Sequence, residues 1–117
     1  MKNQYIRGVL AGCLLIGSSG TFADSEVVSG KILNTLSESS VYGKCMVYSE
    51  SFNPRIACPA GWVSLDCSGD FNSKEDSRRM WDSAQLAYAM DLTVEVTLVD
   101  TQKHNGYCVA KRLNVTK

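Results

Sequence analysis

One segment, Ser73 to Val99, constrains the fold more than any other. It holds a capped amphipathic helix and an alternating strand with almost no loop between them. Met80, Trp81, Ala84, Ala87 and Tyr88 recur at three- and four-residue spacing, which predicts a buried helical face. Ser73 predicts the N-cap, because its hydroxyl can accept from the unpaired N–H groups of the first turn. Asp76 completes a capping-box-like pair, and Glu75 and Asp76 suit the positive end of the helix dipole. Arg78, Arg79, Asp82 and Gln85 fall on the wet side. Leu92, Val94, Val96 and Leu98 then alternate with Thr93, Glu95, Thr97 and Val99, so a strand follows.

The rest of the chain reads as short strands. Val27 to Leu36 is β-branched and apolar, with Gly30 as a candidate bulge. Ser37 to Ser40 is a loop, and Val41 to Ser49 holds a second strand around Cys45-Met46-Val47-Tyr48. Asn53-Pro54-Arg55 is a turn, since Pro presets φ and Asn tolerates unusual backbone angles. Trp62 to Cys67 is a third strand. Asp100 to Gly106 reads as a turn ending in Asn-Gly, and Tyr107 to Val115 as the last strand. The order β-β-β-α-β-β is that of a five-stranded Greek-key barrel with a helix between its third and fourth strands, the OB-fold. A small α+β sandwich uses the same elements and is the alternative.

The N-terminus has the form of an export signal. Lys2 and Arg7 precede an apolar run from Gly8 to Gly17, too short to span a bilayer, and Thr21-Phe22-Ala23 offers small residues for cleavage after Ala23. Residues 1–23 are thus expected to be removed and 24–117 to form one exported domain, periplasmic or secreted. Leu10-Ala11-Gly12-Cys13 has the form of a lipobox, but the apolar run continues through Leu14-Leu15-Ile16, where a tethered polar linker should begin. Two of the 12 basic residues lie in the signal and none of the 12 acidic ones does, so the remaining domain carries an acidic excess of two. That balance opposes nucleic-acid binding and polybasic membrane attachment. Cys45, Cys58, Cys67 and Cys108 remain, and an even count in a small exported domain predicts two disulfides. Third and fifth strands are neighbours in the barrel, which suggests Cys67–Cys108 and leaves Cys45–Cys58. A hairpin of strands two and three centred near Ile56 would instead set Cys45 against Cys67. With no C-x-x-C pair and one histidine, zinc is not expected.

The helix–strand segment resembles the same region of the cholera toxin and heat-labile enterotoxin B subunits. Shared positions, without gaps, are Arg79, Met80, Asp82, Ala87, Tyr88, Val94, Glu95, Val99 and Lys103. The element order is also similar to that of the subtilase-cytotoxin B subunit, whose second and third strands carry cysteines near the positions of Cys45 and Cys67. The resemblance implies a secreted OB-fold, five-membered ring assembly and glycan binding. Lys103 matches a glycan-contacting lysine of the enterotoxin loop, and Gln102 stands where that family has Asn. Asp100 occupies the place of the family's sugar-stacking tryptophan, and Leu98 that of a cysteine.

Nothing here reads as a catalytic motif, and no cofactor is expected. His104, between Lys103 and Asn105 in the predicted turn, reads as a solvated histidine. Asp66, Asp70, Glu75 and Asp76 form an acidic run that calcium could use, but its spacing fits no loop and helix capping accounts for two of its members. Trp62, Tyr42, Tyr48 and Tyr107 lie on or beside strands, and Trp62 is the candidate sugar platform. Gln102, Lys103, His104 and Asn105 are the candidate polar rim, with Asn72 and Asp100 beside them. The expectation is a non-catalytic binding module for a glycan or protein partner, with a pentamer as the candidate assembly. The alternative is a periplasmic structural or interaction protein without a small ligand.

Overall fold

The computed structural model describes residues 24–117. The expected signal sequence and Cys13 lie outside the described residues. Among those residues no helix is long and apolar enough to cross a membrane. The protein is mostly β with one helix. Its elements are β1 (Ser25–Lys31), β2 (Asn34–Ser37), β3 (Cys45–Tyr48), β4 (Trp62–Ser64), α1 (Lys74–Met90), β5 (Thr93–His104) and β6 (Tyr107–Thr116). They form one mixed six-stranded sheet in the order β1-β5-β6-β4-β3-β2. Only β4 and β6 run parallel, and they meet at a single pair, Ser64 with Val109.

Six strands replace the expected five because the first strand is broken in two. Ile32 is buried and Leu33 donates its N–H to the Tyr48 carbonyl, so the chain turns here from pairing with β5 to pairing with β3. The two ends of the sheet order are therefore joined by two residues. Gly30 is not a bulge, since it pairs in register with Val94. It lies against Ser49 and Ser51, where a Cβ would collide with both side chains.

The helix begins as its sequence requires. Ser73 Oγ accepts from the Asp76 N–H at 3.0 Å. Ser77, Met80, Ala84 and Ala87 form the buried stripe. Trp81 is half-buried, but Tyr88 is 46% exposed, contrary to the expected inner face. The buried stripe is narrow, so Tyr88 falls at its margin with half-buried Trp81, and the helix closes on Asp91 in the left-handed conformation (φ 56°). The core it covers includes Val47, Phe52, Val63, Leu65, Val94, Val96, Leu98 and Ala110.

Two further readings are corrected. The strand after the helix does not end at Val99 but runs to His104, and a two-residue turn at Asn105-Gly106 carries it into β6. Both turn residues have positive φ, as a tight hairpin of this hand needs. The polar stretch Asp100 to Lys103 is thus mostly strand. The disulfides are Cys45–Cys67 and Cys58–Cys108, not Cys45–Cys58 and Cys67–Cys108. The cause is at Asp66, whose backbone turns left-handed (φ 58°) and ends β4 at Ser64. Leu65 N–H already donates to the Cys45 carbonyl, so the turn sets Cys67 beside Cys45 at 5.6 Å between Cα atoms. The β3–β4 connection meanwhile carries Cys58 across to β6.

Candidate binding face

Side chains alternate across a strand, so the sheet has an outer face as well as a core. On β3, Cys45 and Val47 point into the core, which sends Met46 and Tyr48 outward. Their register partners Leu36, Ser64 and Trp62 share that outer face. Met46 is nevertheless only 2% exposed and lies outside the main core. What covers it is a small second cluster: Leu36, Tyr42, Trp62 and Tyr107 line a shallow cavity of about 200 Å³ over it. Tyr42 and Tyr107 meet edge to face at 5.7 Å, and Tyr48 and Trp62 lie 5.2 Å apart. Such pairs are worth about 0.5–1.5 kcal/mol each beyond the area they bury. The result is an aromatic wall of half-buried rings that is already packed without a ligand.

Two carboxylates hold the loops at the edge of this wall. Glu38 turns back into its own loop and accepts from the N–H groups of Ser40, Val41, Tyr42 and Lys44 at 2.7–2.9 Å. Desolvation pushes its pKa up, but the four donors, led by Tyr42, more than offset this and leave it below the ordinary value. That cradle fixes where Tyr42 stands. Ser64 Oγ also donates to the Tyr42 carbonyl.

Asp66 does the same on the other side, and its side chain is fully buried. Its oxygens accept from the N–H groups of Asp70, Phe71 and Asn72, from Ser68 Oγ and from His104 Nε2. Burial alone would raise its pKa, yet the donors from Asn72, His104, Phe71 and Ser68 hold it below the usual carboxylate value. His104 is therefore not a solvated turn residue. Its side chain is 11% exposed, 2.7 Å from Asp66, edge-on to Phe71 and packed over Gly43. Gly43 has φ 79°, and a Cβ there would collide with the imidazole.

Of the expected site residues, Trp62 lies in the wall and His104 beneath its rim. Asn105 lies in the hairpin turn between His104 and Tyr107, whereas Gln102 and Lys103 are engaged elsewhere along β5. Gln102 accepts from Lys111 Nζ, Lys103 is an exposed strand residue opposite Cys108, and Asn105 forms the hairpin turn. The acidic run is also divided. Asp66 and Asp70 lie near His104, whereas Glu75 pairs with Arg79 on the helix surface. Asp66, Asp70 and His104 place three potential metal-binding atoms within 4.8 Å of one another. The five donors already on Asp66 make this a loop clamp rather than an open coordination site. Sequence reasoning missed Glu38 and the position of Met46; an acidic residue leading a Ser-Ser-x-x-Gly-Lys loop is the signal that was there to find.

A larger groove of about 650 Å³ crosses the first turns of α1, lined by Lys74, Glu75, Arg78, Arg79, Asp82, Trp81 and Cys67. Its walls are long charged side chains on an exposed helix, which lose rotamer freedom when a ligand orders them. The aromatic wall pays no such penalty. Comparison with protein-family models, curated proteins and solved structures finds no match.

Proposed function

We propose that this protein is an exported, non-catalytic OB-fold module that recognises a glycan on its aromatic wall. The fold reading is supported by strand order. Taken as one bent strand, β1 and β2 contact both β5 and β3, which gives the cyclic order first, second, third, fifth, fourth of a partly open Greek-key barrel. Such barrels bind oligosaccharides and oligonucleotides on the face of their second and third strands and the adjoining loops. In this chain those are β3 and β4, the Glu38 loop and the Asn105-Gly106 turn, where Tyr42, Tyr48, Trp62 and Tyr107 collect. The acidic excess makes a nucleic acid an unfavourable ligand.

The observation that carries the reading is a preorganised aromatic face on an exterior surface, with Met46 sealed beneath it. Sugars pack the apolar faces of their rings on such platforms while their hydroxyls bond at the rim. The test is a glycan array on the oxidised domain, followed by titration of the best hit against wild type and Trp62→Ala. A loss of tenfold or more for Trp62→Ala supports the reading. No glycan bound, or equal affinities, rejects it. A ring like that of the toxin B subunits is part of the proposal, and light scattering of the native protein decides it, five subunits supporting it and a monomer removing it.

A further inference from the structure

We propose that the edge of β6 beyond Val109 docks an extended, acidic segment of a partner polypeptide by strand addition. The sheet leaves this edge open. β6 pairs with β5 along its length, but β4 touches it only at Val109. Among the described residues no strand lies against the far side of Lys111 to Thr116. At the other outer strand, β1, neighbouring loops crowd one face: the Glu26 carboxylate accepts from the N–H groups of Arg55 and Ile56, and Ser49 and Ser51 lie against Gly30. An open strand edge carries unpaired N–H and C=O groups and is a template for another chain. Asn72 Nδ2 donates to the Ala110 carbonyl at 2.9 Å, so the first such group is capped and the free stretch begins after it.

A groove of about 450 Å³ runs between this edge and α1. Leu113 packs toward the core while Arg112 is exposed, and both line the groove, so it passes the strand at its edge rather than over one face. Met80 and Leu113 give it an apolar floor, and Phe71, 41% exposed, one wall. Its charged members are Arg79, Lys111 and Arg112 against Asp76 alone. Lys111 is bonded to neutral Gln102, Arg79 to the exposed Glu75, and Arg112 has no ion-pair partner among the described residues. A domain with an acidic excess of two thus concentrates positive charge along this open edge. Lysines and arginines there oppose pairing with a second copy of the same strand, which would bring Lys111 and Arg112 of both copies to one seam. They favour a strand whose side chains are Asp or Glu.

The experiment uses isotope-labelled oxidised protein and an eight-residue peptide of alternating Glu and Val. Its controls are the Lys/Val counterpart and a version with Pro at alternate positions, which cannot extend a ladder. The expected result is amide shifts confined to Lys111–Thr116 and α1, at least tenfold weaker binding to Lys111→Glu/Arg112→Glu, and no binding of either control. Both substituted residues are exposed, so the fold should persist, and Lys103→Glu serves as the charge control. Binding of the proline peptide would reduce the effect to charge attraction and overturn the proposal. So would no binding of the Glu/Val peptide, or a homodimer that protects Lys111–Thr116 from hydrogen exchange. Trp62→Ala should bind the peptide as wild type does, which keeps this outcome separate from that of the glycan reading.

Discussion

Replacing Asp66 by Ala tests the clamp on which the rim depends. The substitution removes a buried acceptor and leaves the N–H groups of Phe71 and Asn72, at 2.8 and 2.7 Å, without a partner, along with His104 at 2.7 Å. Hydrogen bonds to a charged group are worth roughly 1.5–3 kcal/mol each, and neighbours in one network do not add fully. Water entering the vacated space recovers part of the loss, so the expected cost is about 3–5 kcal/mol. For a domain of this size about 1 kcal/mol moves Tm by roughly 4–8 °C, which puts the fall at about 12 °C or more. The assay is thermal and urea unfolding of the oxidised domain at pH 7, with Asp70→Asn as control because that side chain is 61% exposed. The control should cost under about 1 kcal/mol. Asp66→Ala costing no more than Asp70→Asn would refute the argument that this carboxylate organises the loop. The pH dependence has a definite sign. The folded pKa of Asp66 lies below its ordinary value, so its stabilisation is present above about pH 4 and is lost as pH falls through the folded pKa. Asp66→Asn should lack that component of the acid limb.

Reduction of the two disulfides should lower Tm sharply. Their sequence separations of 22 and 50 residues correspond to about 3–4 kcal/mol each by loop-closure entropy, and an unchanged Tm would reject the stapling argument. Ala87→Arg should unfold the domain because Ala87 is fully buried, whereas Gln85→Arg on the exposed side should change stability by under about 0.5 kcal/mol; equal effects by circular dichroism would contradict the helix orientation.

What could be read from the sequence was local. Ser73 with Asp76, and the alternation from Leu92 onward, are set by contacts within a few residues, and both appear in the fold. The Asn105-Gly106 turn was visible too, but the polar run before it disguised strand as loop. Asp100, Thr101 and Gln102 bulge out of register between the Val99–Val109 and Lys103–Cys108 pairs, so this polar run interrupts the ladder without ending the strand. The break at Ile32-Leu33 depends on which strands each half pairs with, and no local signal encodes that. The disulfide pairing turned on one left-handed residue, Asp66, whose conformation is fixed by donors up to 38 positions away. For the same reason His104 looked solvated: its partner lies on another loop. Tyr88 had the right spacing for the core, but the buried stripe is only Ser77, Met80, Ala84 and Ala87 wide, and Tyr88 lies at its margin.

The two cross-links interleave. Cys45 is joined past Cys58 to Cys67, and Cys58 past Cys67 to Cys108. A chain that emerges N-terminus first offers Cys45 and Cys58 to an oxidant before either has met its native mate. Bonds made in order of appearance would be wrong ones, and reaching the native pattern from them would take thiolate attack on a bond already formed. Were that order followed, maturation would be paced by bond reshuffling, on a timescale of seconds to hours, rather than by the formation of the sheet.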